Sequence, residues 1–202
     1  MPRQRSRRTR VTTRMLAPVL LGLLPLLPML LLTSCGGGPD RPNVVLIVMD
    51  TLRADHLGCY GYERDVSPEI DAFAAGSTVY DRAYATAPWT VPTHGSLFTG
   101  KLPFRHGAHT YRSEERGIMV APLPEVHVTL AEVFAAEGYR TGAFVANDAF
   151  LGERFQFDQG FATYHVEPVH ADQLNRRAAR WLREDRGAPF FMFMNFMDTH
   201  RV

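Results

Sequence analysis

Two unbroken apolar runs frame the chain, and between them the hydrophobic positions change period several times. "NVVLIVMD", residues 43–50, is β-branched and bounded by Pro42 and Asp50. Such a run predicts a central parallel strand buried on both faces. "SPEIDAFAAGS" places Ser67 as N-cap, Pro68 at the first helical position and Gly76 as terminator, which predicts a helix. "TVYDRAYA", residues 78–85, alternates apolar and polar positions and predicts a strand. "TLAEVFAAEG", residues 129–138, opens on a Thr129/Glu132 capping box and closes on Gly138. "YRTGAFVA", residues 139–146, predicts another strand. A helix over residues 170–185 puts Leu174, Ala178, Trp181 and Leu182 on one face. The second apolar run, "PFFMFMNFMD" at 189–198, again ends in an aspartate.

Strands alternating with helices predict the α/β class with a mainly parallel sheet. Such sheets carry their sites at the carboxyl ends of strands. Asp50 and the Asp198/His200 pair fall there. So does "PWTVPTHGSLFTG", residues 88–100, if the strand at 78–85 feeds it. Pro92 and the small residues after it let a helix begin directly beyond Thr90. The free N–H groups and dipole of that helix favour a tetrahedral oxyanion. Thr90 is therefore a candidate nucleophile, and Thr93, inside the first turn, a candidate cap. A threonine hydroxyl attacks poorly at neutral pH, but coordination to a divalent cation lowers its pKa. Asp50 supplies a hard oxygen ligand for such a cation. His94 or His200 is placed to protonate a leaving alkoxide or to hold a non-bridging oxygen. His94 reads equally well as a polar group on the first helical turn. His106 and His109 read as loop residues, and Met192, Met194 and Met197 as strand packing.

Composition changes this picture mainly at the N-terminus. The chain has 202 residues, 46% of them hydrophobic, enough for one domain with a real core. Its 22 basic residues include Arg3, Arg5, Arg7, Arg8, Arg10 and Arg14; without these six, 16 basic face 21 acidic residues, a formal charge of −5. A mildly acidic body argues against nucleic acid as a partner. The basic start leads into "MLAPVLLGLLPLLPMLLL", residues 15–32, and together they have the layout of a secretory signal peptide over residues 1–34. Leu32-Thr33-Ser34-Cys35 resembles the lipobox of bacterial lipoproteins. That resemblance implies a lipidated Cys35, a flexible tether over 35–41 and a membrane-anchored place in the bacterial cell envelope. Cys59 is then the one cysteine left in the exported part, so no internal disulfide is expected there.

"RPNVVLIVMDTLRADHLGCYGY", "SPEIDAFAAGSTVYDRAYATAPWTVPTHGSLFTG" and "FFMFMNFMDTH" together resemble the sulfatase family of the alkaline phosphatase superfamily, over about residues 42–200. The resemblance implies an alkaline-phosphatase-like, sulfatase-like sandwich around a mainly parallel sheet. It implies hydrolysis of sulfate or phosphate esters by a metal-bound nucleophile. Asp50 matches the metal-binding aspartate of the first strand, and Thr51 stands where a second aspartate is common. Thr90 takes the first position of the family's Cys/Ser-x-Pro-Ser-Arg motif, with Pro92 and Thr93 following and His94 in place of the arginine. "VAND" at 145–148 stands where a Gly-Lys-Trp-His stretch binds sulfate, without its lysine and histidine. Asp198-Thr199-His200 resembles the family's Asp-Pro-His.

These readings converge on a hydrolase domain over 42–202 that looks incomplete, because the family's further ligands fall on a later strand. Its catalytic set is Thr90, His94 and His200, and its metal set is Asp50, Thr51 and Thr90. One divalent cation is expected, calcium first by resemblance, with magnesium, manganese or zinc as alternatives. The expected substrate is a small-molecule or glycan sulfate or phosphate ester, and the threonine nucleophile with the missing sulfate-binding pair pulls the expectation toward phosphate or phosphonate esters. The alternative reading is a non-catalytic envelope lipoprotein that keeps the fold.

Overall fold

The first apolar run forms strand β1, Val44–Met49, and the last forms β6, Phe190–Phe196. The structure, a computed structural model, describes residues 41–184 and 187–200. The signal peptide, Cys35 and nearly all of the tether lie outside the described residues. Between the two strands come β4, Arg140–Val145, and β5, Thr163–Val166, giving an all-parallel sheet in the order β1-β6-β4-β5. A separate antiparallel hairpin pairs β2, Thr110–Ser113, with β3, Gly117–Val120. The helices are α1, Pro68–Ala75; α2, Thr90–Thr99; α3, Pro103–His106; α4, Leu130–Ala136; α5, Asp148–Leu151; and α6, Ala171–Glu184.

One sheet face packs beneath α2, where Val91 and Phe98 meet Val145, Phe157 and Phe193. The other packs beneath α6, where Leu174, Ala178 and Trp181 meet Phe144, Met192 and Met194. The period read from the sequence for α6 therefore names its buried stripe. Burying one such large apolar side chain contributes roughly 1.5–3 kcal/mol before entropy is counted. Trp181 lies so close to β4 that a Cβ on Gly142 would sit 2.6 Å from its ring. Thr129 and Glu132 form the expected reciprocal capping box at the start of α4.

Three expectations change. β1 is an edge of the described sheet, not a strand buried on both faces: Leu46 and Val48 pack inward, while Val45 and Ile47 are about half exposed. β6 takes the interior position, paired on both edges and buried over residues 191–195. Residues 78–85 form no strand, because neither side of that alternation is covered and Tyr80 and Tyr84 stand exposed. Ser67 holds the N-cap position of α1 without capping it. Its hydroxyl instead donates to Asp71 Oδ2 and accepts from the Gly58 N–H, tying the 58–60 turn to the helix.

Candidate active site

The site grows from the loop that turns into α2. Trp89 is extended, with φ −157° and ψ 168°, and takes the N-cap position, so the helix begins at Thr90 itself. Neither threonine caps it. Thr93 Oγ1 donates to the Ala87 carbonyl at 2.9 Å, lashing the incoming loop to the first turn. Thr93 as N-cap is thereby corrected: the extended residue is Trp89, whose indole has no acceptor to offer the first-turn N–H groups. Thr90, at the first helical position, is free to face outward.

His94 is set behind Thr90. Its Nδ1–H donates to the Thr90 carbonyl at 2.9 Å, and its ring packs edge-on against Phe98, Phe157 and Phe193. Burial pushes the imidazole below its ordinary pKa, against opposing pulls from the Thr90 carbonyl and the Asp50 charge. The result is a neutral ring with its proton on Nδ1. Nε2 is buried without a hydrogen-bond partner among the described residues.

His106, expected in a loop, is wholly buried at the end of α3. Its Nδ1 accepts from the Ala108 N–H at 3.0 Å, which leaves Nε2–H to donate to Ser96 Oγ at 3.1 Å. Burial lowers its pKa as well. Helix α2 can settle on this ring only because residue 95 is glycine: a Cβ there would lie 2.6 Å from His106 Cε1.

Asp50 follows β1 and is held by its backbone, its N–H donating to the Phe196 carbonyl at 2.9 Å. A reciprocal pair of hydroxyls straps the two strand ends together. Thr199 Oγ1 donates to the Asp50 carbonyl at 2.6 Å, and Thr51 Oγ1 donates to the Thr199 carbonyl at 3.2 Å. Thr51 adopts φ 61°, a left-handed conformation that costs a β-branched residue about 1–2 kcal/mol. Asp198 turns away from this strap, its Oδ1 accepting from the Ala171 N–H at the start of α6. His200 closes the turn through its N–H to the Met197 carbonyl.

The residue that sequence reasoning missed is Asn147, which follows β4 and is almost fully buried. Its Oδ1 accepts from the Phe150 N–H at 3.0 Å and so caps α5. That bond fixes the amide's orientation and turns Nδ2 toward the site, 2.9 Å from Asp50 Oδ2 and 3.4 Å from Thr90 Oγ1. Asn195 Oδ1 holds the Asn147 N–H from the neighbouring strand at 3.2 Å. The signal was available: an Asn-Asp pair closing a strand marks an N-cap at a strand end.

Asp50, Thr51, Thr90, His94, Asn147 and His200 all line one cleft of about 570 Å³. All five residues predicted from sequence for catalysis and metal binding thus come together. As a cation site the set falls short. Asp50 is its one carboxylate, and Asn147 points a donor at Asp50 Oδ2. No three His, Cys, Asp or Glu side chains gather for a metal among the described residues. A hard divalent cation takes six or so oxygens, so these residues do not by themselves constitute its site.

A family model described as Sulfatase matches residues 42–202. Arylsulfatase A of Homo sapiens is 38% identical over 139 residues, covering 65% of this chain and 26% of its own length. N-acetylgalactosamine-6-sulfatase of Sus scrofa is 30% identical over 163 residues, covering 74% of this chain and 31% of its own. The chain therefore spans between a quarter and a third of these relatives. The phosphonate monoester hydrolase of Agrobacterium radiobacter has the same fold, with a TM-score of 0.61 at 22% identity over 80% of this chain and 42% of that one. The order of strands, the cleft at their carboxyl ends and the family match agree: this chain belongs to the sulfatase family.

Proposed function

We propose that this chain carries the nucleophile side of an ester hydrolase, with Thr90 Oγ1 as the attacking oxygen. The observation that carries the reading is the Asn147 amide, oriented by its own cap bond so that it donates to both Thr90 Oγ1 and Asp50 Oδ2. A donor on the hydroxyl oxygen stabilises the alkoxide as it forms. In the first step Thr90 Oγ1 bonds to the sulfur or phosphorus, its proton passes to Asp50, and the ester oxygen departs with the bonding pair. His200, which lines the same cleft, protonates that leaving oxygen. Water then cleaves the Thr90 ester and restores both groups. His94 braces the Thr90 carbonyl from behind rather than meeting the leaving group, since its proton is spent on that carbonyl.

The names of the sequence relatives favour sulfate esters. The threonine at position 90, and Ala146 and Asp148 where the sulfate-binding lysine and histidine would stand, favour phosphate or phosphonate esters as the second reading. We also propose that Asp50, Thr51 and Thr90 contribute to the ligand set of a divalent cation, calcium first, which would supply Lewis-acid charge when bound. Cys35 is proposed as a lipid anchor in a bacterial envelope, on the strength of the apolar run that ends in Leu-Thr-Ser-Cys. Cys35→Ala should abolish metabolic labelling with palmitate; retained label would refute the anchor. For the hydrolase itself, the full-length protein and its Thr90→Ala variant are assayed on aryl sulfate, phosphate monoester, diester and phosphonate. Turnover of one class, lost in the variant, supports the reading. No turnover of any class with the fold intact favours a non-catalytic protein.

A further inference from the structure

β1 ends at the cleft with Asp50, and α2 begins there with Thr90, the two joined through the Asn147 amide. The start of β1 and the end of α2 therefore share the far, amino-terminal end of the sheet. Aromatic packing follows the same course. Phe98, near the end of α2, packs on Phe193 and Phe161, and Phe161 stacks on Phe191 near the start of β6. Ten helical residues carry the chain about 15 Å from the cleft.

The loops at that end present one mixed apolar and basic surface. Leu102 and Phe104 follow α2, Val126 and Val128 precede α4, and all four are more than half exposed. Lys101 Nζ donates to His127 Nδ1 at 2.9 Å, which brings the two segments together with the valines on either side of that histidine. The Arg105 guanidinium lies over the Phe104 ring, 5.6 Å from its centroid. Lys101 and Arg105 are exposed, and Glu125 is the one acid within 101–109 and 124–128.

Protruding apolar side chains set between cations suit the headgroup boundary of an anionic bilayer. No helix among the described residues is long and apolar enough to cross a membrane, so such a contact is made from the surface. Chain length brings this end of the domain to the lipid. Asn43 Oδ1 accepts from the Phe190 N–H where β1 and β6 start, and the eight peptide steps from Cys35 to Asn43 span at most roughly 29 Å. A contact tethered in this way is intramolecular and needs little affinity of its own.

We propose that Leu102, Phe104, Val126 and Val128, with Lys101 and Arg105, form a membrane-contact face that rests on an anionic lipid surface and turns the cleft toward the aqueous side. Nearness to the lipid rests on the Cys35 anchor proposed above. The full-length protein, extracted from membranes, is placed on phosphatidylcholine–phosphatidylglycerol vesicles whose brominated acyl chains quench indole emission on contact. Wild type supplies the background of Trp89, at the cleft, and Trp181, buried beneath α6. In Phe104→Trp the added emission should be quenched at least about twofold, while the wild-type emission stays unchanged. Adding Lys101→Glu and Arg105→Glu, or using phosphatidylcholine alone, should remove most of that quenching, with circular dichroism showing each variant folded. An unquenched indole at position 104, the result if further chain or a protein partner covers this surface, would overturn the face. So would quenching that charge reversal leaves unchanged, or quenching of the wild-type emission. Palmitate label on Cys35 without quenching keeps the anchor and removes the face; quenching without label does the reverse.

Discussion

Asn147 Nδ2 lies 2.9 Å from Asp50 Oδ2, joining residues 97 positions apart in the chain. Asn147's amide is locked by the Phe150 N–H on its oxygen, and the Asp50 backbone is held by its own N–H on the Phe196 carbonyl. The amide therefore arrives at the site already oriented, and it brings the nucleophile candidate and the carboxylate under one donor group. Preorganised donors of this kind carry much of the rate enhancement in acyl, sulfuryl and phosphoryl transfer.

Asn147→Ser separates the two jobs of this side chain. Serine keeps an oxygen suited to the N-cap of α5 but has no amide to give Thr90 and Asp50. The expected outcome is a fall in kcat of about a hundredfold, with a stability change under about 1 kcal/mol. Steady-state kinetics beside urea unfolding reads both. Wild-type kcat would show that the amide has no part in the chemistry.

Gly95 and His106 form a paired fit beneath α2. Gly95→Ala should destabilise the fold by about 1–3 kcal/mol, because its methyl meets a buried ring rather than a flexible side-chain end. His106→Ala makes room, so adding it to Gly95→Ala should cost less than the two losses summed. Additive losses in urea unfolding would mean that the contact is not shared.

The same histidine predicts a pH dependence. Its folded pKa is held below the ordinary value by burial, while the unfolded chain titrates near about 6.5. The neutral ring's contribution is therefore complete above that pH and is lost as the pH falls toward the folded value. Stability should drop by at most about 1.4 kcal/mol per pH unit from this one group. His106→Gln should flatten that part of the thermal-unfolding profile. A profile equally steep in the variant would assign the effect elsewhere.

Most of the parallel sheet is legible in the sequence, because buried strands and the amphipathic α6 write their burial as period. The position of each strand is not legible in the same way. The run at 43–50 is apolar enough for an interior strand, yet β1 lies at an edge because nothing among the described residues covers Val45 and Ile47. The rule that strand ends carry chemistry placed Asp50 and His200 in the cleft, whereas Thr90 reaches it from a loop, because the predicted strand at 78–85 does not form. Asn147 escaped because it was read only as the absence of a lysine and a histidine. His106 escaped because a histidine three residues after a proline and just before a glycine looks like loop, and its burial depends on a glycine eleven positions earlier. Tertiary contacts of this kind leave no period in the sequence.

The strap between Thr51 and Thr199 predicts two opposite shifts. Thr51→Asn tolerates the left-handed conformation at φ 61° better than threonine and should raise stability by about 0.5 kcal/mol, even with the weak bond to Thr199 lost. Thr199→Val removes the short bond to the Asp50 carbonyl and should lower stability by about 1 kcal/mol. Urea midpoints decide both; shifts of the same sign would contradict the strain argument.

Thr90 as nucleophile is the central claim, and a trapped covalent adduct tests it most directly. The full-length protein is quenched in acid during turnover of the best substrate from the ester panel, digested, and mapped by mass spectrometry. The expected result is a sulfuryl or phosphoryl group on Thr90, retained at the same position in Thr90→Ser and absent in Thr90→Ala. Thr93→Ala should keep the adduct and lose only about 1 kcal/mol of stability with its bond to the Ala87 carbonyl. An adduct on another residue, or wild-type turnover in Thr90→Ala, would contradict the account.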